Sequence, residues 1–150
     1  MKKETNRTPV TINLISTARS SPDEPDLPMQ LLTTGELEKR PDASWVLRYT
    51  ETQEDEETGE PMKADVTLLM KKDRVIMHRE GAFRNTMVFV RGQRFEGLYS
   101  TPFGDLPMAV YTHRMSCDVE KDRGSVTLHY QLDMQGAYAS TNELHLNFVT

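Results

Sequence analysis

The sequence has little of what secreted and membrane proteins usually carry. Cys117 is the only cysteine among 150 residues, so no disulfide can form within the chain, and a reducing compartment fits better than secretion. No run approaches the ~20 consecutive apolar residues that a membrane-spanning helix needs. No apolar stretch of signal-peptide length follows the N-terminus. We therefore expect a cytoplasmic protein.

The sequence also lacks a concentration of positive charge. The formal net charge is -5, and lysine and arginine form no block. Proteins that bind nucleic acids neutralise phosphates with a basic stripe, so a nucleic-acid partner is disfavoured. The same argument disfavours an anionic membrane surface.

Motifs of known catalytic chemistry are missing as well. No serine lies in the glycine pattern of a nucleophile elbow, and no glycine-rich loop suits a phosphate, so we expect no cofactor. Cys117 is odd-numbered, which predicts that it lies on the outward face of its strand, and we interpret it as an inert thiol. Enzymatic activity ranks third among the functions considered, because Glu51 and the histidines lack a recognisable partner geometry.

Alternation of apolar and polar residues is the dominant pattern that is present. It predicts strands, with turns such as Gly92-Gln93 between them, and no helix. Residues 1–8 are predicted to form a flexible N-terminus, and residues 53–62 an acidic loop. The predicted strands cover residues 10–14, 29–39, 45–51, 64–70, 74–80, 86–91, 94–100, 106–119, 124–134 and 138–149.

This pattern predicts a single all-β domain over residues 1–150. About ten short-linked strands must bury one face of a large sheet, and closing the sheet also removes its exposed edges. Short sequential links favour an antiparallel up-and-down β-barrel of about 8–10 strands. A sandwich of two sheets is the main alternative.

The segment Tyr-x-Thr-Pro-aromatic-Gly at residues 99–104 is the most specific of several short segments, spread over residues 9 to 149. Together these segments resemble the YwiB-like family of bacterial proteins. The resemblance implies a calycin-type, lipocalin-like barrel and a bacterial cytoplasmic setting, but it supplies no activity, and fold alone does not fix function. The other matching segments are Leu47-Arg48-Tyr49-Thr50-Glu51, Arg79-Glu80-Gly81, Met87-Val88-Phe89 and Tyr130-Gln131-Leu132.

A candidate ligand site comes from polar residues that are in phase with the apolar face of their strands. Counting by twos leads from Val75 and Met77 to Arg79. The same count on a later strand leads from Met108 and Val110 to Thr112 and Arg114. A buried charge must be paired, so one carboxylate should contact one guanidinium and leave the second for an anion. Alternatively, the residues lie at strand ends or form a structural ion pair. The predicted ligand-binding residues are Tyr49, Glu51, Arg79, Thr112, Arg114 and Tyr130.

A second candidate site is a row of histidines. His113, His129 and His145 are sixteen residues apart on the last three strands, and their odd numbers predict the outer face. If the hairpin midpoints fall near residues 121 and 137, the three would lie side by side. Three imidazoles could bind zinc, although no carboxylate follows the pattern and exposed histidines are often incidental. His78 has no obvious partner.

The favoured function is non-catalytic binding of a small apolar or amphipathic anionic ligand in the barrel. Methionine side chains suit such an interior because they adapt to irregular shapes. The alternative is a filled barrel that acts as a structural or interaction module, possibly a homodimer in contact through Tyr111 and Met115. The methionines expected inside are Met70, Met77, Met87, Met108 and Met134.

Overall fold

The computed structural model describes residues 7–21, 23, 28–54 and 58–150, and in this part the chain forms ten strands. Their lengths agree with the alternation of the sequence, and the second strand has the predicted bounds. The strands are β1 (Arg7–Arg19), β2 (Met29–Lys39), β3 (Trp45–Glu54), β4 (Pro61–Met70), β5 (Val75–Gly81), β6 (Arg84–Phe89), β7 (Arg94–Thr101), β8 (Gly104–Val119), β9 (Arg123–Met134) and β10 (Ala137–Val149).

The ten strands form one closed antiparallel barrel. Each strand pairs with the next one in sequence, and β1 closes the sheet against β10, with Ile12 opposite Phe148. The predicted all-β up-and-down barrel is therefore confirmed, and the two-sheet alternative is wrong. The β6–β7 seam is the narrowest, with two paired positions, Arg84 with Ser100 and Asn85 with Tyr99.

The interior is filled by the apolar residues of each alternating run. On the last two strands these are the even-numbered positions, as expected from the period of two. The packed side chains include Ile12, Leu47, Leu68, Met77, Phe89, Val126, Leu128 and Leu146, each at most 1% exposed.

The connections divide between the two ends of the barrel. Because the strands run up and down in sequence, the strand ends that lead into the β1–β2, β3–β4, β5–β6, β7–β8 and β9–β10 connections lie at one end of the barrel. We call this end the mouth. The remaining hairpins lie at the opposite end together with Thr150, whose backbone N–H donates to the Asp122 carbonyl at 2.9 Å.

Two predicted loops differ from the structure at their edges. Strand β1 begins at Arg7, which lies opposite Glu38, so the predicted flexible N-terminus includes two residues of a strand. Residues 1–6 lie outside the described part. The predicted acidic loop at 53–62 is shorter, because β3 extends to Glu54 and β4 begins at Pro61. Residues 55–57 of that loop are also outside the described part.

Two local irregularities change which residues face inward. A β-bulge at His113 makes the register shift between Thr112 and Arg114, and the faces of β8 are exchanged beyond it. The β9–β10 hairpin turns on Gln135 and Gly136, both with positive φ, which suits a two-residue turn. The register of this hairpin shifts between Tyr138 and Ser140, and beyond the shift the pairing is centred on residue 136, one residue earlier than the predicted midpoint at 137.

No helix in the described part of the chain is long and apolar enough to cross a membrane.

Candidate functional site

A pocket of about 360 Å³ opens into the barrel at the mouth. Its walls come from six strands, β3 and β5 to β9, and from the β5–β6 connection. Apolar surface makes up most of the wall, and charged, amide and phenolic groups occur within it. The lining residues are Glu51, Arg79, Phe83, Asn85, Met87, Tyr99, Met108, Tyr130, Leu132 and Met134.

Small residues in β4 and β5 explain how two charged side chains meet inside the pocket. Ala64 is buried, and it lies opposite Glu51 on one side and Gly81 on the other. A Cβ atom at Gly81 would collide with the backbone carbonyl of Lys63, so this position requires glycine. With no large side chain at Ala64, the carboxylate of β3 can reach across β4 toward Arg79 of β5.

An ion pair joins these two strands. The Nε atom of Arg79 donates to Oε2 of Glu51 at 3.3 Å, and the side chains are only 16% and 15% exposed. The alternation along β3 and β5 correctly predicted that both face inward. It also predicted that the carboxylate would contact one arginine, which the structure confirms.

Three phenols surround the ion pair. Burial is the main cause that raises the pKa of Tyr49, Tyr99 and Tyr130. The positive charge of Arg79 acts to lower these pKa values, and the negative charge of Glu51 acts to raise them. The phenols therefore stay protonated at neutral pH and can donate hydrogen bonds. Tyr49 is almost fully buried, and its hydroxyl has no hydrogen-bond partner among the described residues.

Asn85 is a residue of the site that the sequence interpretation did not include. It lies between Arg79 on β5 and Tyr99 on β7, in one row across three strands. Its side chain is buried, and its Oδ1 atom accepts no hydrogen bond from any residue that the structure describes. The signal was present, because Asn85 is in phase with the buried Met87 and Phe89.

Thr112 lies deeper than the pocket and does not line it. It is opposite Tyr130, as the shared inward face predicted, and it is fully buried. Its hydroxyl has no hydrogen-bond partner in the described part of the chain. Thr112 is therefore part of the packed interior, whereas Tyr130 reaches the pocket and packs its ring against Phe89 at a centroid distance of 4.9 Å.

The prediction that Arg114 faces the interior is wrong. The bulge at His113 turns Arg114 outward, where it is exposed and lies opposite His129. It lines a separate surface depression together with Arg91 and Ser116. Within the described residues the pocket therefore contains one arginine, which is paired, and the expected surplus of positive charge is missing.

The prediction of three histidines side by side is also wrong. The bulge displaces His113, whose ring contacts Tyr111 at 4.8 Å, and the earlier hairpin centre places His145 opposite Thr127. The rings of His129 and His145 are still neighbours, 5.9 Å apart.

A carboxylate accompanies these two rings, contrary to the expectation. Glu143 lies opposite His129, with 3.4 Å between Oε1 and Nδ1. His78, for which no partner was expected, also has two contacts: its Nδ1 atom lies 2.7 Å from the Thr86 hydroxyl and its Nε2 atom 2.8 Å from Glu80.

The exchanged faces of β8 also change two other interpretations. Cys117 and Met115 are partly buried and pack against the core. Burial, with a smaller effect of the Asp118 charge, raises the pKa of the Cys117 thiol to about 11, which agrees with an inert thiol. Of the two residues expected to supply an outer contact, Met115 is thus on the inner side, and Tyr111 is half-buried.

The methionine expectation is confirmed. Met70 and Met77 lie in the packed core, while Met87, Met108 and Met134 line the pocket.

The most specific segment of the family resemblance lies at the edge of the pocket. Its first residue, Tyr99, is in the wall and stacks on Phe83 at a centroid distance of 6.0 Å. Thr101 closes the β7–β8 turn, since its hydroxyl donates to the Gly104 carbonyl at 2.9 Å and accepts from the Phe103 N–H at 3.1 Å. This motif therefore shapes part of the mouth.

Comparison with known proteins agrees with this architecture. The crystal structure of the ywiB protein from Bacillus subtilis is similar, with a TM-score of 0.79 and 20% sequence identity over 96% of this chain and 92% of that chain. At this identity the likeness shows the fold alone. No curated protein has a significantly similar sequence. Residues 12–146 match the family described as "Domain of unknown function (DUF1934)", and the chain therefore belongs to that family of YwiB-like β-barrels.

Proposed function

We propose that this protein is a non-catalytic barrel that binds a small, mainly apolar molecule in the mouth pocket. The observation that carries the proposal is the pairing of Arg79 and Glu51 within a largely apolar pocket of about 360 Å³. Small-molecule sites usually have this size and a few convergent polar groups in an apolar wall. Three flexible methionines in that wall suit a ligand of irregular shape.

The polar groups of the pocket favour particular chemistry at one end of the ligand. Arg79 contacts Glu51 through Nε, and no hydrogen bond joins its two terminal nitrogens to another described residue. These nitrogens would donate to a ligand acceptor, while the Oδ1 atom of Asn85 would accept from a ligand donor. A hydroxyl or a primary amide supplies both.

The charge balance favours an uncharged ligand over the anion expected from the sequence. The expected anion relied on a second guanidinium in the pocket, and Arg114 lies outside. The paired charges of Arg79 and Glu51 already compensate each other, so a carboxylate would bring an unpaired charge into a partly buried site. We infer an amphipathic molecule with a neutral polar head, and an ionised head as the weaker ligand.

Matched ligands test this proposal. A medium-chain alcohol, the primary amide of the same length and the corresponding fatty acid are titrated into the full chain, and binding is measured by calorimetry and native mass spectrometry. We expect one molecule per chain, with the alcohol or amide binding more tightly than the acid.

Variants show whether binding occurs in the mouth. Arg79→Ala should weaken binding of the alcohol by about 10-fold, the effect of one charge-assisted hydrogen bond, and Leu132→Trp should abolish it by filling the pocket. Arg114→Ala is the matched control, because this arginine is on the outer face. Equal binding by the unaltered chain and all three variants, or no binding of any probe, would contradict the proposal. Either result would favour the filled barrel that acts through its surface.

A further inference from the structure

Three side chains on the outer face of the β9–β10 hairpin have the composition of a metal site. The Nδ1 atom of His129 lies 3.4 Å from Oε1 of Glu143, and the Nε2 atom of His145 lies 3.9 Å from Oε2 of the same carboxylate. One ligand atom from each of the three residues lies within 4.8 Å of the others. Two imidazoles and one carboxylate are a ligand set that zinc uses in proteins.

Two of these distances, each to a different oxygen of Glu143, are close to those around a tetrahedral ion, and the three ligand atoms together lie within 4.8 Å. Zinc bonds of about 2.1 Å to nitrogen and oxygen correspond to about 3.4 Å between ligand atoms. The contact of His129 with Glu143 already has this length, and the contact of His145 with Glu143 is 0.5 Å longer, from 3.9 − 3.4. All three side chains are at least partly exposed, so small rotations would bring the ligand atoms together.

The strands position these residues without the help of a loop. Glu143 is directly opposite His129 in the antiparallel ladder, and His145 is two residues further along the same face of β10. Thr127 lies opposite His145, with 3.4 Å between its hydroxyl and Nδ1. In the tautomer that donates from Nδ1 to this hydroxyl, the lone pair of His145 is on Nε2, toward Glu143.

The two charged neighbours of His129 favour a cation on one side of its imidazole only. Arg114 lies opposite His129 on β8, whereas Glu143 lies on the other side, on β10. A cation bound over β9 and β10 would therefore be separated from the Arg114 guanidinium by the imidazole. The carboxylate would neutralise one of its two charges.

We propose that His129, Glu143 and His145 form a surface site for a divalent transition-metal ion of the zinc class, with the Thr127 hydroxyl as a positioning group. The mixed nitrogen and oxygen ligands favour such ions over Mg²⁺, which prefers oxygen ligands alone. Three protein ligands leave the fourth tetrahedral position to water or to a group of another molecule. This site is on the opposite face of the sheet from the mouth pocket.

Metal titration of the full chain, carrying no polyhistidine tag, tests the proposal. We expect one Zn²⁺ per chain by calorimetry, a tetrahedral absorption spectrum with Co²⁺, and no binding of Mg²⁺ under the same conditions. His145→Asn and Glu143→Gln should each reduce Zn²⁺ affinity strongly. Thr127→Val should reduce it less, by on the order of 10-fold, as for the outer partners of metal ligands.

Two control variants make the result specific. His78→Asn removes another outer-face histidine that contacts a carboxylate, Glu80, and His113→Asn removes the displaced member of the predicted row. Both should bind Zn²⁺ like the unaltered chain. Affinity that is unchanged by His145→Asn and Glu143→Gln, or equally reduced by His78→Asn, would overturn the proposal. So would the absence of binding tighter than about 1 mM.

Discussion

The packed interior and the mouth pocket are built from the same strands, yet one is filled and the other is open. On β5, Val75 and Met77 are fully buried in the packed interior, and two residues later Arg79 enters the pocket. On β9, Leu128 is in the packed interior and Leu132 is in the pocket wall. The register is regular along this stretch of β5, whereas the pairing of β9 with β8 shifts between His129 and Tyr130, at the bulge. On β5 the difference therefore arises from the side chains near the mouth and not from a change in the sheet.

The largest expected difference between the two regions concerns loss of apolar volume. Leu128→Ala should lower the free energy of unfolding by about 4 kcal/mol, because a fully buried leucine leaves a cavity in a close-packed interior. Leu132→Ala should cost about 1 kcal/mol, since this half-buried side chain already faces open space. Urea denaturation of both variants measures the difference. Equal losses would mean that the mouth is packed like the rest of the interior.

A smaller effect is expected from the ion pair in the pocket. Arg79→Ala should cost about 2 kcal/mol, less than for a fully buried pair because both side chains retain some solvent contact. Replacing both partners, as Arg79→Met with Glu51→Gln, should recover most of the loss, because no single charge is then left without its partner. A double-mutant cycle of Arg79→Met and Glu51→Gln, each made singly and together and measured by urea denaturation, gives this coupling. Additive effects of the two substitutions would show that the pair contributes nothing as a unit.

The smallest effect is expected at Thr112, in the packed interior. Its buried hydroxyl has no partner among the described residues, so Thr112→Val should stabilise the protein by about 1 kcal/mol. Thr11→Val is the matched control on the outer face of β1, where the side chain is exposed, and it should change stability little. Thermal unfolding distinguishes the two. Destabilisation by Thr112→Val would indicate that its hydroxyl is satisfied in solution.

Period-two alternation was sufficient to predict the barrel and the two charged residues of the pocket. It placed Glu51 and Arg79 on the inner face, because each continues a run of apolar residues at every second position. The strands that contain them have no register shift between the packed interior and the mouth. Inner-face residues could therefore be assigned by counting alone.

The same counting failed for Arg114 because one extra residue exchanges the faces of β8. A signal for this bulge was present in the sequence. The inner-face residues change from the even numbers of Val110 and Thr112 to the odd numbers of Met115 and Cys117. A strand of sixteen residues that changes phase in this way predicts a bulge between the two runs.

The partners of the histidines depended on turn geometry, to which counting by twos is insensitive. A two-residue turn at Gln135 and Gly136, together with the register shift between Tyr138 and Ser140, places Glu143 opposite His129 and moves His145 two residues further along β10. Positive φ at glycine is common in such turns, but the sequence also allows a three-residue turn. The position of the hairpin centre, to within one residue, thus decides whether the strands carry a row of histidines or a mixed histidine–carboxylate cluster.

Methionine methyl resonances test the proposed ligand pocket most directly. Met87, Met108 and Met134 line the pocket, Met77 is in the packed interior, and Met29 is exposed at the start of β2. With methyl-labelled methionine, titration of a medium-chain alcohol should shift the three pocket resonances together and leave those of Met77 and Met29 in place. Unchanged pocket resonances, or a shift that is confined to Met29, would contradict binding in the mouth of the barrel.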